Sequence, residues 1–179
     1  MCVATDPDCD RVGIAVKEGE DYTLLTGNHV GALLFDYICR CRTENGTMPR
    51  DPVAVTTIVS TKLTQMIGKA YGVEVRSVLT GFKYIGEQIK LFEQNHTYNY
   101  VFGLEESYGC LAGTHARDKD AVVAVMCLCE VAAYCKKHNM TLWDMMVSMY
   151  EKYGYYKDAV KSIELKGIEG LAKIQEILE

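Results

Sequence analysis

Apolar and polar positions alternate along the chain in blocks of changing period. Residues 12–16, VGIAV, read as a buried strand, KEGED as a turn and DYTLL (21–25) as a second short strand. The MCVAT that precedes them is too short to judge. From Asn28 the period becomes helical, with apolar residues at 30, 33, 34, 37 and 38, until the loop TENGTMPRDP. The β-branched run PVAVTTIVS suits a buried parallel strand. It leads into a helix, STKLTQMIGKAYG, with Ser60 or Thr61 as N-cap and Gly72 as its stop. The unit then repeats: VEVRSVLT is a strand, GFKYIGEQIKLFEQ a helix, YNYVFGLEES a strand and DAVVAVMCLCEVAAYCKKH a long, mostly buried helix. Beyond it the pattern predicts a helix around LWDMMVSMYEKYG, a strand-like DAVKSIEL and a final helix GIEGLAKIQEILE. This β-α-β-α-β-α order predicts an α/β fold, a mostly parallel (mixed) sheet sandwiched by helices. Ligands are therefore expected at the carboxyl ends of the strands, which read STK, LTGFK and GLEESYG.

Charge and cysteine placement narrow the function classes. A formal net charge of -5, with Lys and Arg scattered, leaves no basic footprint for nucleic acid, so no such partner is expected. No apolar run approaches the roughly 20 residues of a membrane span, and the N-terminus lacks the regions of a signal peptide. The expected location is cytoplasmic. Eight cysteines raise the question of zinc or disulfides. Cys39 with Cys41 and Cys127 with Cys129 are CxC pairs in helical patterns, without a CxxC or a histidine at ligand spacing, and read as buried free thiols.

Two clusters carry chemistry. In ATDPDCDRVGIAV three aspartates alternate, so Asp6, Asp8 and Asp10 can converge on one point, where a hard, oxygen-loving cation such as Mg2+ would relieve their repulsion. A solvated acidic turn is the alternative. An EF-hand fails, because its sixth and twelfth positions hold Arg11 and Lys17. A phosphatase using one carboxylate as nucleophile stays open. The second cluster, FGLEESYGCLAGTHARDKDAV, places Glu105, Glu106 and Ser107 at a strand end. There a carboxylate beside a hydroxyl suits sugar hydroxyls, and the bland reading is a polar loop with Glu106 solvated.

DPDCDR, TGFKYIGEQI and GLEESYG, in this order, resemble the α-D-phosphohexomutase superfamily of phosphoglucomutases and phosphomannomutases. The resemblance implies that residues 1–24 are the remnant of a second domain bearing the metal loop. It makes 25–160 the sugar-binding third domain, and 161–179 a connection toward a further domain. It implies Mg2+ on Asp6, Asp8 and Asp10, Arg11 near the transferring phosphoryl group, and sugar hydroxyls on Glu105 and Ser107. Gly81 and Lys83 would meet the substrate from the other side. Some members carry a histidine where this chain has Gly109. HARDKD instead resembles the phosphoglucomutase pattern, which makes Lys119 the candidate general acid or base, with a surface salt bridge as its bland alternative. The implied activity is interconversion of hexose 1-phosphate and 6-phosphate through a phosphoserine and a bisphosphate intermediate. The implied partners are the sugar phosphate and the remaining mutase domains. No phosphoserine segment occurs in these residues, so the chain is expected to be an inactive piece of a larger mutase, with a loop whose carboxylates splay apart. A non-catalytic metal- or partner-binding α/β module is the rival.

Overall fold

A computed structural model of the chain describes residues 1–159 and 164–178. Strands β1 (Cys2–Thr5), β2 (Val12–Glu18) and β3 (Asp21–Leu25) form an antiparallel sheet in that order. The MCVAT segment is thus a strand, paired with β2 from Cys2 opposite Ala15 to Thr5 opposite Val12. Helix α1 (Gly27–Glu44) follows, opened by a capping box in which Thr26 Oγ1 accepts from the His29 amide at 3.2 Å. Next come β4 (Pro52–Thr57), α2 (Leu63–Tyr71), β5 (Glu74–Val78), α3 (Phe82–Asn95) and β6 (Asn99–Leu104). The chain continues through β7 (Cys110–Ala112), α4 (Ala121–Lys137), α5 (Leu142–Tyr153) and α6 (Gly167–Leu178).

The second sheet runs β5-β4-β6-β7, parallel except for β7, which turns back antiparallel on β6. Its two faces follow the period of the strand. Val53 and Val55 of β4 point to α3, where Phe82, Ile85, Ile89 and Phe92 cover them. Ala54 points the other way, into a core built on α1. There Leu33, Leu34 and Phe35 are fully buried, and Phe35 stacks on Phe102 with centroids 6.0 Å apart. The same core takes in Val12, Ile14, Val16 and Leu25 of the first sheet, so the aspartate loop between β1 and β2 is held by a packed strand.

Several local expectations change. The cap residue of α2 is Lys62, which makes no side-chain cap bond; Ser60 bonds to Thr57 at the end of β4, while Thr61, one residue before the cap, accepts from the Leu63 amide on its Oγ1 at 3.3 Å, and Gly72 does end the helix in the left-handed region at φ 68°. Helix α4 buries only the stripe Ala121, Ala124, Leu128, Val131 and Cys135, leaving Val122 and Met126 exposed. Its apolar residues surround the helix, which hides the single face that packs. All eight cysteines are free, but Cys2 and Cys129 are exposed. The middle of the strand-like DAVKSIEL, residues 160–163, lies outside the described residues. Among the described residues no helix is long and apolar enough to cross a membrane.

Candidate functional site

The aspartate loop is a tight turn with Cys9 in the left-handed region at φ 58° and its amide donating to Asp6 O at 3.0 Å. Asp6 shapes it further: its Oδ1 accepts from the Asp10 and Arg11 amides at 3.2 and 3.0 Å. The Arg11 amide hydrogen bond is the main reason the Asp6 carboxyl sits below its ordinary range. Each of Asp6, Asp8 and Asp10 offers an oxygen within 4.8 Å of the others. The splayed arrangement expected from mutual repulsion is therefore not the one seen. Backbone amides and two cations hold the carboxylates together: Arg11 Nε lies 3.6 Å from Asp10 Oδ1, and Lys119 Nζ lies 3.0 Å from Asp10 Oδ2.

The donor set fits a hard divalent cation. It is all oxygen, and Asp10 Oδ1 is buried without a hydrogen-bond partner, an acceptor that an ion beside Asp6 and Asp8 would satisfy.

Lys119 is not a surface group. Its side chain is 11% exposed, bridges Asp10 and Asp118 at 3.0 Å each, and lies over the Phe82 ring. Burial pulls its ammonium down, but the two carboxylates outweigh burial and leave it above its ordinary value. A lysine so held keeps its proton. Its aliphatic stem fills the space beside Gly109, where an added Cβ would come within 2.1 Å of Lys119 Cδ. A side chain at 109 and Lys119 in this pose exclude each other.

The other cluster grows from the ends of β4, β5 and β6. Glu105 closes the turn after β6 by donating its amide to Gly109 O at 2.9 Å. Its side chain is buried at 5% exposure, and Oε1 accepts from the Gly81 amide at 2.9 Å. Gly81 has φ 123°, a conformation that disfavours any side chain, and it caps α3. Desolvation raises the Glu105 carboxyl above its usual value, although the Gly81 amide and Lys119 oppose that. A carboxyl raised on folding binds more protons folded than unfolded, so its contribution to stability falls as pH rises through the raised pKa. The stability of the wild-type chain relative to Glu105→Gln is thus expected to grow as pH is lowered through that raised pKa toward the ordinary glutamate value, as followed by urea unfolding at each pH. A difference flat with pH contradicts the shift.

Glu106, solvated in the bland reading of this loop, is instead tied down: its Oε2 accepts from Thr57 Oγ1 at 3.1 Å. Ser107 is half-buried next to it. Lys83 is exposed in the first turn of α3, with Nζ 4.9 Å from the Tyr84 ring centroid, and makes no ion pair among the described residues. The two clusters are joined. Arg11 forms a β-bridge with Gly109, and the Val12 amide donates to Tyr108 O at 3.1 Å. The Ala121 amide at the start of α4 donates to Cys9 O at 3.1 Å. Asp6, Asp8, Asp10, Arg11 and Lys119 thus form one group and Gly81, Glu105 and Ser107 an adjoining one, with Lys83 at its rim.

Residues 26–153 match the family model described as phosphoglucomutase/phosphomannomutase, alpha/beta/alpha domain III. A phosphoglucomutase of Staphylococcus aureus (strain MRSA252) is 36% identical over 179 residues, covering 99% of this chain and 31% of the relative. This chain therefore spans about a third of the length of that relative. Among solved structures, one assigned as a phosphomannomutase of Thermus thermophilus superposes with a TM-score of 0.67 at 26% identity, over 85% of this chain and 30% of that one. The open form of the Paramecium phosphoglucomutase pp63/parafusin shares the fold, with a TM-score of 0.63 at 19% identity over 86% of this chain and 24% of that one.

Proposed function

The chain belongs to the phosphoglucomutase/phosphomannomutase family, and from that premise we propose that it supplies sugar recognition and the metal loop to a longer mutase interconverting hexose 1-phosphate and 6-phosphate. The observation that carries the reading is the junction of the two clusters, where Lys119 sits on Asp10 and Arg11 bridges Gly109 at the foot of the Glu105–Ser107 loop. A phosphoryl group held at the aspartate loop and a sugar held at the strand ends would then be neighbours.

Within that scheme Asp6, Asp8 and Asp10 hold Mg2+, whose chemistry when bound is to neutralise charge on the phosphoryl oxygens. Arg11 adds a second cation on the same side. Glu105 has given Oε1 to Gly81, so Oε2 is left for a sugar hydroxyl, with the Ser107 hydroxyl beside it. Gly81 and Lys83 close on the substrate from the α3 side, where the Lys83 ammonium is free to meet a phosphate. Lys119, held protonated, donates to the sugar oxygen from which the phosphoryl group departs, and takes the proton back in the reverse step. The phosphoserine and bisphosphate intermediate belong to the same proposal, with the serine on the remaining mutase domains. The division into 1–24, 25–160 and 161–179 and a cytoplasmic setting are part of it as well.

Titration of this chain with glucose 6-phosphate, followed by amide chemical shifts, tests the reading. Shifts are expected to cluster at residues 81–83 and 105–107. Their absence, together with failure of a longer mutase bearing this segment to convert glucose 1-phosphate or mannose 1-phosphate with Mg2+ and a sugar bisphosphate, would leave a non-catalytic metal- or partner-binding module.

A further inference from the structure

The end of β4 carries two buried hydroxyls that the scheme above does not use. Thr57 is 1% exposed and Ser60 6%, and their Oγ atoms lie 2.8 Å apart. The direction of this contact follows from its surroundings. Thr57 Oγ1 donates to Glu106 Oε2 at 3.1 Å. Thr57 Oγ1 must then accept from Ser60, whose own oxygen accepts from the Thr57 amide at 3.3 Å. The result is a one-way chain, Ser60 to Thr57 to Glu106, in which every buried hydroxyl is satisfied.

The chain ends on the residue between Glu105 and Ser107, the pair assigned to the sugar hydroxyls. Glu105 is tied to the start of α3 through the Gly81 amide, and Glu106 to the end of β4 through Thr57. Two adjacent carboxylates just before Ser107 are thus moored to two different elements, the cap of α3 and the end of β4. Such double mooring removes loop freedom before a ligand arrives, which spares the cost of ordering it on binding.

We infer that Thr57, supported by Ser60, is a positioning residue that holds Glu106 and thereby presets the sugar loop; it touches no substrate itself. The ligand consequence rests on the sugar-recognition reading above, whereas the ordering of the loop does not.

The experiment uses this chain with Thr57→Val, Thr57→Ser, Glu106→Ala and the Thr57→Val/Glu106→Ala pair, glucose 6-phosphate as probe, and two readouts. The first is the dissociation constant from amide shifts. Thr57→Val and Glu106→Ala are each expected to weaken binding about fivefold, the loss of one hydrogen bond. The double variant should be no weaker than the worse single one, because both remove the same contact. Thr57→Ser, which keeps the hydroxyl, should restore binding. The second readout needs no sugar: 15N order parameters at Glu106 and Ser107 should fall from about 0.85 toward 0.6 in Thr57→Val and Glu106→Ala. If the wild-type chain ignores glucose 6-phosphate, sugar recognition fails and the order parameters alone decide the positioning role. Unchanged order parameters in both variants overturn the inference, as does a binding loss in Glu106→Ala that Thr57→Val does not share. Should Thr57→Val not fold, Glu106→Ala and Thr57→Ser decide by the same two readouts.

Discussion

Asp10→Asn in a longer mutase bearing this segment is expected to lower kcat by at least about 100-fold, the scale of removing one preorganised electrostatic contact at a phosphoryl or acyl centre. The size comes from the two tasks of one carboxylate. Oδ1 is the buried oxygen of the aspartate cluster that accepts no hydrogen bond, with Arg11 Nε 3.6 Å away, and Oδ2 holds the Lys119 ammonium at 3.0 Å. Asparagine keeps the shape but surrenders the charge, so the proposed metal loop would lose a ligand and Lys119, the proposed proton donor, would lose a partner that keeps it charged and aimed. Asp8→Asn tests the separation of these tasks. Asp8 is exposed and does not hold Lys119, so its loss should weaken Mg2+ binding in calorimetry while leaving the Lys119 pair intact. Activity of Asp10→Asn within a few-fold of wild type would remove Asp10 from the chemistry.

What the sequence disclosed follows the range of the interactions involved. The aspartate loop was legible because its alternation and the VGIAV strand behind it are local, and the structure keeps both, with the three carboxylates within reach of one another. The β-α alternation from β4 to α4 was legible for the same reason: each element carries its own period. Strand β1 and strand β7 were not, being four and three residues long and defined by partners rather than by a pattern. Their pairings, with β2 and with β6, make the first sheet three-stranded and add an antiparallel edge to the second. The mooring of Glu106 was invisible because its partner, Thr57, lies 49 residues away and looks like one more β-branched strand residue. The GLEESYG run singled out a strand-end loop, yet Glu105 and Glu106 differ in ways their adjacency hides: one is buried against Gly81 and the other half-buried against Thr57. The exclusion between Gly109 and Lys119 is likewise a packing fact, since about ten residues, most of them irregular chain, separate the two before they meet.

Gly27→Ala should destabilise the chain by about 3 kcal/mol, which for a chain of this size lowers Tm by roughly 10 °C. In an ordinary helix the same change is stabilising by up to about 1 kcal/mol, so the sign itself is informative. Gly27 is the first residue of α1, and a Cβ built on it lies 2.1 Å from Glu106 O and 2.5 Å from Tyr108 N. Both are backbone atoms of the sugar loop. Neither can swing aside as the tip of a side chain could. Either α1 withdraws, disturbing Val30, Leu33 and Leu34 in the core, or the loop moves off Thr57 and Gly81. Gly13→Ala is the control: it lies in β2 with open space where its Cβ would be, and its stability should stay within about 0.5 kcal/mol of wild type. Urea unfolding of the two variants reads the difference, and glucose 6-phosphate titration of Gly27→Ala should show affinity reduced more than about tenfold, because the displaced loop is the one that carries Glu105 and Ser107. A Gly27→Ala chain as stable as Gly13→Ala would mean that α1 does not press on the loop, and the seat proposed for the sugar would lose its support from α1.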